Sequence, residues 1–138
     1  MGIKIIGDIP IYVSEDSSDL WSNPKIFMLN KDSLKPIKVS GCPPDAFSAT
    51  GQLWGNPIYN WGYLEETNYK WWIDRIKHSL KLYDVIRIDH FRGFEAYWSI
   101  PYGEKTAQNG EWVKGPEVKL FNSIKEELGD INIIAEDL

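Results

Sequence analysis

Asp84-Val85-Ile86-Arg87-Ile88-Asp89 decides the fold: a short apolar run ending in an acid, directly after a helical stretch. In that stretch, residues 66–82, Tyr69, Trp72, Ile73, Ile76 and Leu80 recur at i, i+3, i+4, i+7 and i+11, which lines one helix face with apolar groups. The same signature appears upstream, where Lys4-Ile5-Ile6-Gly7-Asp8 precedes the break Ile9-Pro10. It returns downstream as Ile131-Asn132-Ile133-Ile134-Ala135-Glu136. Before that run Pro116 opens a second helix, with Val118, Phe121, Ile124 and Leu128 on one face and Gly129 at the C-cap position. Strands alternating with helices pair in parallel through right-handed crossovers. Continuous isoleucine-rich strands suit a sheet covered on both faces. The expected class is α/β, with parallel strands near 3–8, 84–89 and 131–136 forming a contiguous part of a (β/α)8 TIM barrel. Such a barrel takes about 250 residues, so residues 1–138 read as a fragment of one catalytic domain.

The remaining segments follow no clear period. Residues 14–65 are dominated by turn chemistry, including Ser14-Glu15-Asp16-Ser17-Ser18, Gly41-Cys42-Pro43-Pro44-Asp45 and Gly55-Asn56-Pro57. An excursion that long points to function rather than connection. Within it, residues 26–30 and 36–40 suggest a small hairpin. Residues 90–115 read as a loop rich in glycine and aromatics.

Composition narrows the partners. The chain is 43 % hydrophobic, 14 % aromatic and 25 % charged, enough to build a core and unlike a disordered chain. A net charge of −5 without a basic run argues against nucleic acid. No apolar stretch approaches a membrane span, and Met1-Gly2-Ile3-Lys4 has no signal-peptide layout, so no membrane role and a cytoplasmic location are expected. Cys42 is the only cysteine, which excludes an internal disulfide and suits a reducing compartment. Nucleophile-elbow, Rossmann, Walker and zinc-ligand patterns are absent from the sequence. No metal or organic cofactor is therefore expected.

All three expected strands end in acids: Asp8, Asp89, and Glu136 with Asp137. Strand C-termini in a parallel sheet share one rim, where active sites are built. Strands spaced by about 4.8 Å bring such acids near the roughly 5–5.5 Å separation that retaining glycosidases use. Arg87 lies two residues before Asp89 and points to the same side; it is expected to keep Asp89 ionised, as a nucleophile must be. Glu136 has no cation within three residues, so apolar neighbours are expected to raise its pKa, as suits an acid/base. The alternative is that strand-end acids cap helices or solubilise loops. Aromatics and amides interleave in Gly51-Gln52-Leu53-Trp54-Gly55-Asn56-Pro57 and Tyr59-Asn60-Trp61, a pattern that fits the flat C–H faces and hydroxyl rim of sugars. For Tyr59 and Trp61 a mini-core beneath the loop is the competing reading. Trp71 and Trp72 are read as helix packing, His78 as surface, and Cys42 as structural.

Four motifs together are specific. They are Gly7-Asp8-Ile9-Pro10-Ile11-Tyr12-Val13, Gly41-Cys42-Pro43-Pro44-Asp45-Ala46-Phe47-Ser48 continuing through Pro57, Arg87-Ile88-Asp89-His90-Phe91-Arg92-Gly93-Phe94, and Ala135-Glu136-Asp137-Leu138. They closely resemble the 4-alpha-glucanotransferases (amylomaltases or disproportionating enzymes), relatives of the alpha-amylases, over essentially the whole chain. The resemblance implies Asp89 as nucleophile, Glu136 as acid/base, Arg87 as support of the nucleophile and His90 as a sugar contact. It also implies Asp8 as a substrate-side acid, and Asp45, Gln52 and Trp54 in a loop over the glucan groove, with Trp54 stacking on sugar. Malto-oligosaccharides and alpha-1,4-glucans are the implied partners. The family's third carboxylate is expected on a later strand outside this chain, so the chain alone is expected to be inactive and to self-associate through open sheet edges. The rival readings are an alpha-amylase-type hydrolase and a non-catalytic carbohydrate-binding piece.

Overall fold

A computed structural model describes residues 2–136. Asp137 and Leu138, from the last motif, lie outside the described residues. The elements run β1 (Ile6–Pro10), α1 (Ser18–Ser22), β2 (Lys38–Cys42), β3 (Gln52–Pro57), α2 (Trp61–Glu66), α3 (Lys70–Leu80), β4 (Val85–Asp89), β5 (Ala96–Pro101), β6 (Glu111–Lys114), α4 (Val118–Leu128) and β7 (Ile133–Ala135).

β1, β4 and β7 form a three-stranded sheet in the order β1-β4-β7, parallel throughout. These are the three expected strands, each slightly shifted in its bounds. The expectation of two covered faces fails. Along β1 burial alternates, with Gly7 and Ile9 buried while Ile6, Asp8 and Pro10 are exposed. Ile86 and Ile88 of β4 are fully buried in the core with Trp72, Ile76, Leu120 and Ile124 of α3 and α4. Helices thus cover one face only, and the other is left to Asp8, Arg87 and their neighbours. Close approach demands glycine at Gly7, where an added Cβ would sit 2.0 Å from the Tyr83 ring.

The helix expected over 66–82 is confined to α3. Asn68 and Tyr69 take left-handed φ values of 54° and 56°, which ends α2 and restarts the helix. Its predicted face holds: Tyr69, Trp72, Ile73 and Ile76 are buried, and Leu80 packs against them. In α4 Ile124 is buried as expected, whereas Val118 is exposed and Leu120 fills the core instead. Pro116 lies ahead of the first helical residue and Gly129 stands at the C-cap with φ 73°.

The two aperiodic segments hold a second sheet that the sequence reading leaves out. It is antiparallel, in the order β3-β2-β5-β6. Residues 14–65 supply β2 and β3, and residues 90–115 supply β5 and β6, so neither is the loop expected. The hairpin over 26–40 is reduced to one antiparallel bridge, Leu29 with Pro36. No described helix is long and apolar enough to cross a membrane.

Candidate active site

Register puts the charged residues together. Asp8 pairs with Arg87 and Pro10 with Asp89 across β1 and β4, while Ile134 of β7 pairs with Arg87. Side chains alternate with period two, so Asp8, Arg87, Asp89 and Glu136 all face away from the helices. Glu136 continues the ladder past β7: its amide donates to Ile88 O at 3.1 Å and its carbonyl accepts from the Phe91 amide at 2.9 Å.

Arg87 is the hub of this face. Its Nη2 lies 2.5 Å from Glu136 Oε1, its Nε 3.7 Å from Asp89 Oδ1 and its Nη1 3.9 Å from Asp8 Oδ1. All three are ion contacts, the one to Glu136 by far the shortest. One electrostatic expectation is therefore corrected, and the pull of Arg87 on Asp89 is present but not alone. Glu136 does have a cation, delivered from the neighbouring strand rather than along the chain. Asp89 is pushed above the ordinary range, first because the Glu136 carboxyl lies within hydrogen-bonding reach and then by burial and Glu136's charge; Arg87 opposes the shift without overcoming it. Its Oδ1 is buried and accepts no hydrogen bond. Glu136 and Arg87 thus act on the Asp89 carboxyl in opposite directions.

Next to the acids stands an aromatic wall. His90, directly after Asp89, adopts φ 56° and turns the chain at the strand end. Trp54 of β3 meets the His90 ring edge-on at 4.8 Å, and its indole N–H donates to Gln52 Oε1 at 3.1 Å. Trp54 keeps 37 % of its surface exposed, enough to present a face to a ligand. Tyr12 lies 6.5 Å from both rings and is buried. The site reading gave it no role, although it follows the strand-ending Asp8 by four residues.

Asp8, Arg87, Asp89 and Glu136 thus form one cluster, and Gln52, Trp54 and His90 a second beside it. Asp45 joins neither: its Oδ1 accepts from the Phe47 and Ser48 amides, both at 2.8 Å, and so closes its own turn. For Tyr59 the mini-core reading holds, since it is fully buried, and Trp61 packs against the same core. Trp72 is fully buried and Trp71 packs beside it, as helix packing requires. His78 is exposed. Burial raises the Cys42 thiol, which suits a structural rather than nucleophilic role. A hollow lined by Tyr63, Lys70, Trp71 and Asp74 does not include the carboxylates; the acids occupy an open rim. Among the described residues, no group of His, Cys, Asp and Glu is arranged to hold a metal ion.

Comparison with known proteins places this geometry. The family profile described as 4-alpha-glucanotransferase matches residues 1–138. A 4-alpha-glucanotransferase of Clostridium butyricum is 79 % identical over 136 residues, covering 99 % of this chain and 28 % of the relative. One from Streptococcus pneumoniae is 62 % identical, with 99 % and 27 % covered. Among solved structures, the amylomaltase from Streptococcus agalactiae in complex with acarbose matches with a TM-score of 0.95 and 53 % identity, covering 99 % of this chain and 28 % of that one. The chain spans about 28 % of the length of the relatives it matches.

Proposed function

The chain belongs to the 4-alpha-glucanotransferase family, and from that premise we propose that the full-length protein transfers a segment of an alpha-1,4-glucan to the 4-hydroxyl of glucose or another glucan. The observation that carries this reading is the convergence of Asp89 and Glu136 on one sheet face around Arg87. The reaction is a retaining double displacement. In the first step the Asp89 carboxylate attacks the anomeric carbon while Glu136 gives its proton to the glycosidic oxygen. The old C–O bond breaks, the shortened glucan leaves, and a covalent glycosyl ester on Asp89 remains. In the second, an acceptor 4-hydroxyl gives its proton to Glu136 and attacks the same carbon. The ester breaks, Asp89 is released as carboxylate, and the alpha configuration is kept. The mechanism needs the proton on Glu136, beside the leaving oxygen, and Asp89 as carboxylate.

Arg87 holds both acids in line, Asp8 borders the donor side, and His90 meets sugar hydroxyls. Trp54, steadied by Gln52 and His90, offers a stacking face, and Asp45 orders the loop that carries it over the groove. That wall favours a sugar acceptor over water, which separates transfer from hydrolysis. In this reading the parallel sheet is three consecutive strands of a (β/α)8 barrel, a third carboxylate comes from a later strand, and the protein works in the cytoplasm. With its acids on an uncovered face, the 138-residue chain by itself does not turn over.

Full-length protein incubated with maltotriose tests the reading. Glucose and longer maltodextrins should accumulate without net reducing ends, and Asp89→Asn or Glu136→Gln should abolish both. Net hydrolysis with excess acceptor would make it an amylase-type hydrolase, and variants with intact function would make it a binding piece.

A further inference from the structure

Side chains tie down the end of β1 at the catalytic rim and the segment that leaves it. Arg75 of α3 donates through Nη2 to Pro10 O at 2.7 Å. The Tyr59 hydroxyl donates to the next carbonyl, Ile11 O, at 2.6 Å. Asn56 Nδ2 donates to Val13 O at 3.1 Å. The charge of Arg75 acts on the Tyr59 hydroxyl beside it, and the guanidinium lies 4.7 Å from the Trp72 ring centroid and 5.5 Å from that of Trp71. A planar fork packed against two adjoining indoles has little freedom left. Its Nη1 is buried without a partner, so the geometry is held for Nη2 at the cost of one donor.

What this clamp holds matters for the site. Pro10 is the register partner of Asp89, and Tyr12, two residues on, packs between Tyr59 and the Trp54–His90 pair, with ring centroids 6.0 Å from Tyr59 and 6.5 Å from each of the other two. We propose that Arg75, acting with Tyr59, is a positioning residue for glucan binding: it fixes the Pro10–Tyr12 exit and through Tyr12 sets the Trp54–His90 wall against which the sugar rests. Neither residue touches substrate. The inference rests on the glucan-transfer reading above. Asp89 ends the central strand β4, which β7 and the rest of β1 still hold when the clamp is lost. Loss of Arg75 therefore disturbs binding more than chemistry.

The test uses full-length protein with maltotriose, assayed well below its melting temperature. Arg75→Met should raise KM about tenfold while kcat stays within about threefold, the range expected when a loop carbonyl loses a charged hydrogen-bond donor. Arg75→Lys, which keeps a cation for the carbonyl but lacks the planar fork that packs on the indoles, should recover part of the loss. Tyr59→Phe removes a single oxygen and should raise KM in the same direction, so it decides the matter if Arg75→Met does not fold. KM unchanged in Tyr59→Phe, or a fall confined to kcat, overturns the clamp. Wild-type protein without transfer activity refutes the functional reading and the clamp with it; an active wild type whose variants keep their KM refutes the clamp alone.

Discussion

Replacing Arg87 by methionine keeps the length of the side chain and removes the one cation that Asp8, Asp89 and Glu136 share. The ion contact with Glu136, at 2.5 Å, is the shortest of the three. Close charge pairs couple by about 1.5–3 kcal/mol at the low end of the measured range. The guanidinium is 38 % exposed, and solvent screening reduces that to about 1–1.5 kcal/mol. That predicts a loss of roughly five- to twelvefold in kcat/KM at neutral pH for the full-length enzyme. The pH dependence carries more information. Glu136 and burial already raise the Asp89 pKa and Arg87 opposes them; without Arg87 the carboxyl gives up its proton at still higher pH. The nucleophile must be ionised, so the acidic limb of kcat/KM must move toward higher pH, and activity must fall most on the acid side. Glucose release from maltotriose, followed across the acidic and neutral range for wild type and Arg87→Met, measures both. An acidic limb that stays in place or moves to lower pH would refute the electrostatic reasoning, whatever happens to the rate.

Gly7→Ala forces a methyl to within 2.0 Å of the Tyr83 ring and should destabilise the full-length protein by about 1–3 kcal/mol in denaturant unfolding. Trp54→Ala removes the exposed indole beside His90; at ~50 Å² of sugar face covered, or about 1.3 kcal/mol, KM for maltotriose should rise by roughly ninefold with kcat nearly kept. The 138-residue chain alone presents β1 and β7 as outer strands with Ile3, Ile5, Ile6 and Ile134 exposed. It should sediment as dimers or larger species at high concentration, and a clean monomer would count against edge pairing.

The parallel sheet was legible because each of its strands is an apolar run closed by an acid and separated from the next by a helical period or a breaker. The antiparallel sheet was not. Its β2 and β3 are interrupted by Gly41, Gly55 and Pro57 and pair with a register shift between Val39 and Gly41, so no alternation survives in the sequence. The signal for β5 was present in Ala96-Tyr97-Trp98-Ser99-Ile100, where β-favouring residues cluster and Tyr97 and Ser99 are buried on one side, but it was masked by the glycines and polar residues around it. The carboxylates stand at strand ends, whereas the cation beside Glu136 was missed. Distance along the chain said that Arg87 serves Asp89 and that Glu136 has no cation; the register of β4 with β7 places Arg87 opposite Ile134 and so within reach of Glu136. Asp45 closes its own turn, because an aspartate two residues before an amide in a tight turn tends to hydrogen-bond to it. Arg75 carried no motif at all, since its importance lies in reaching a carbonyl on β1, and nothing in the spacing of α3 announces that.

The most direct measurement is capture of the covalent intermediate. Full-length Glu136→Gln protein, given an alpha-glucosyl fluoride whose leaving group needs no acid, should accumulate a glycosyl ester. Peptide mass spectrometry should locate that ester on Asp89. An adduct on another carboxylate, or turnover that yields product of inverted anomeric configuration with no adduct, would contradict the assignment of the two acids.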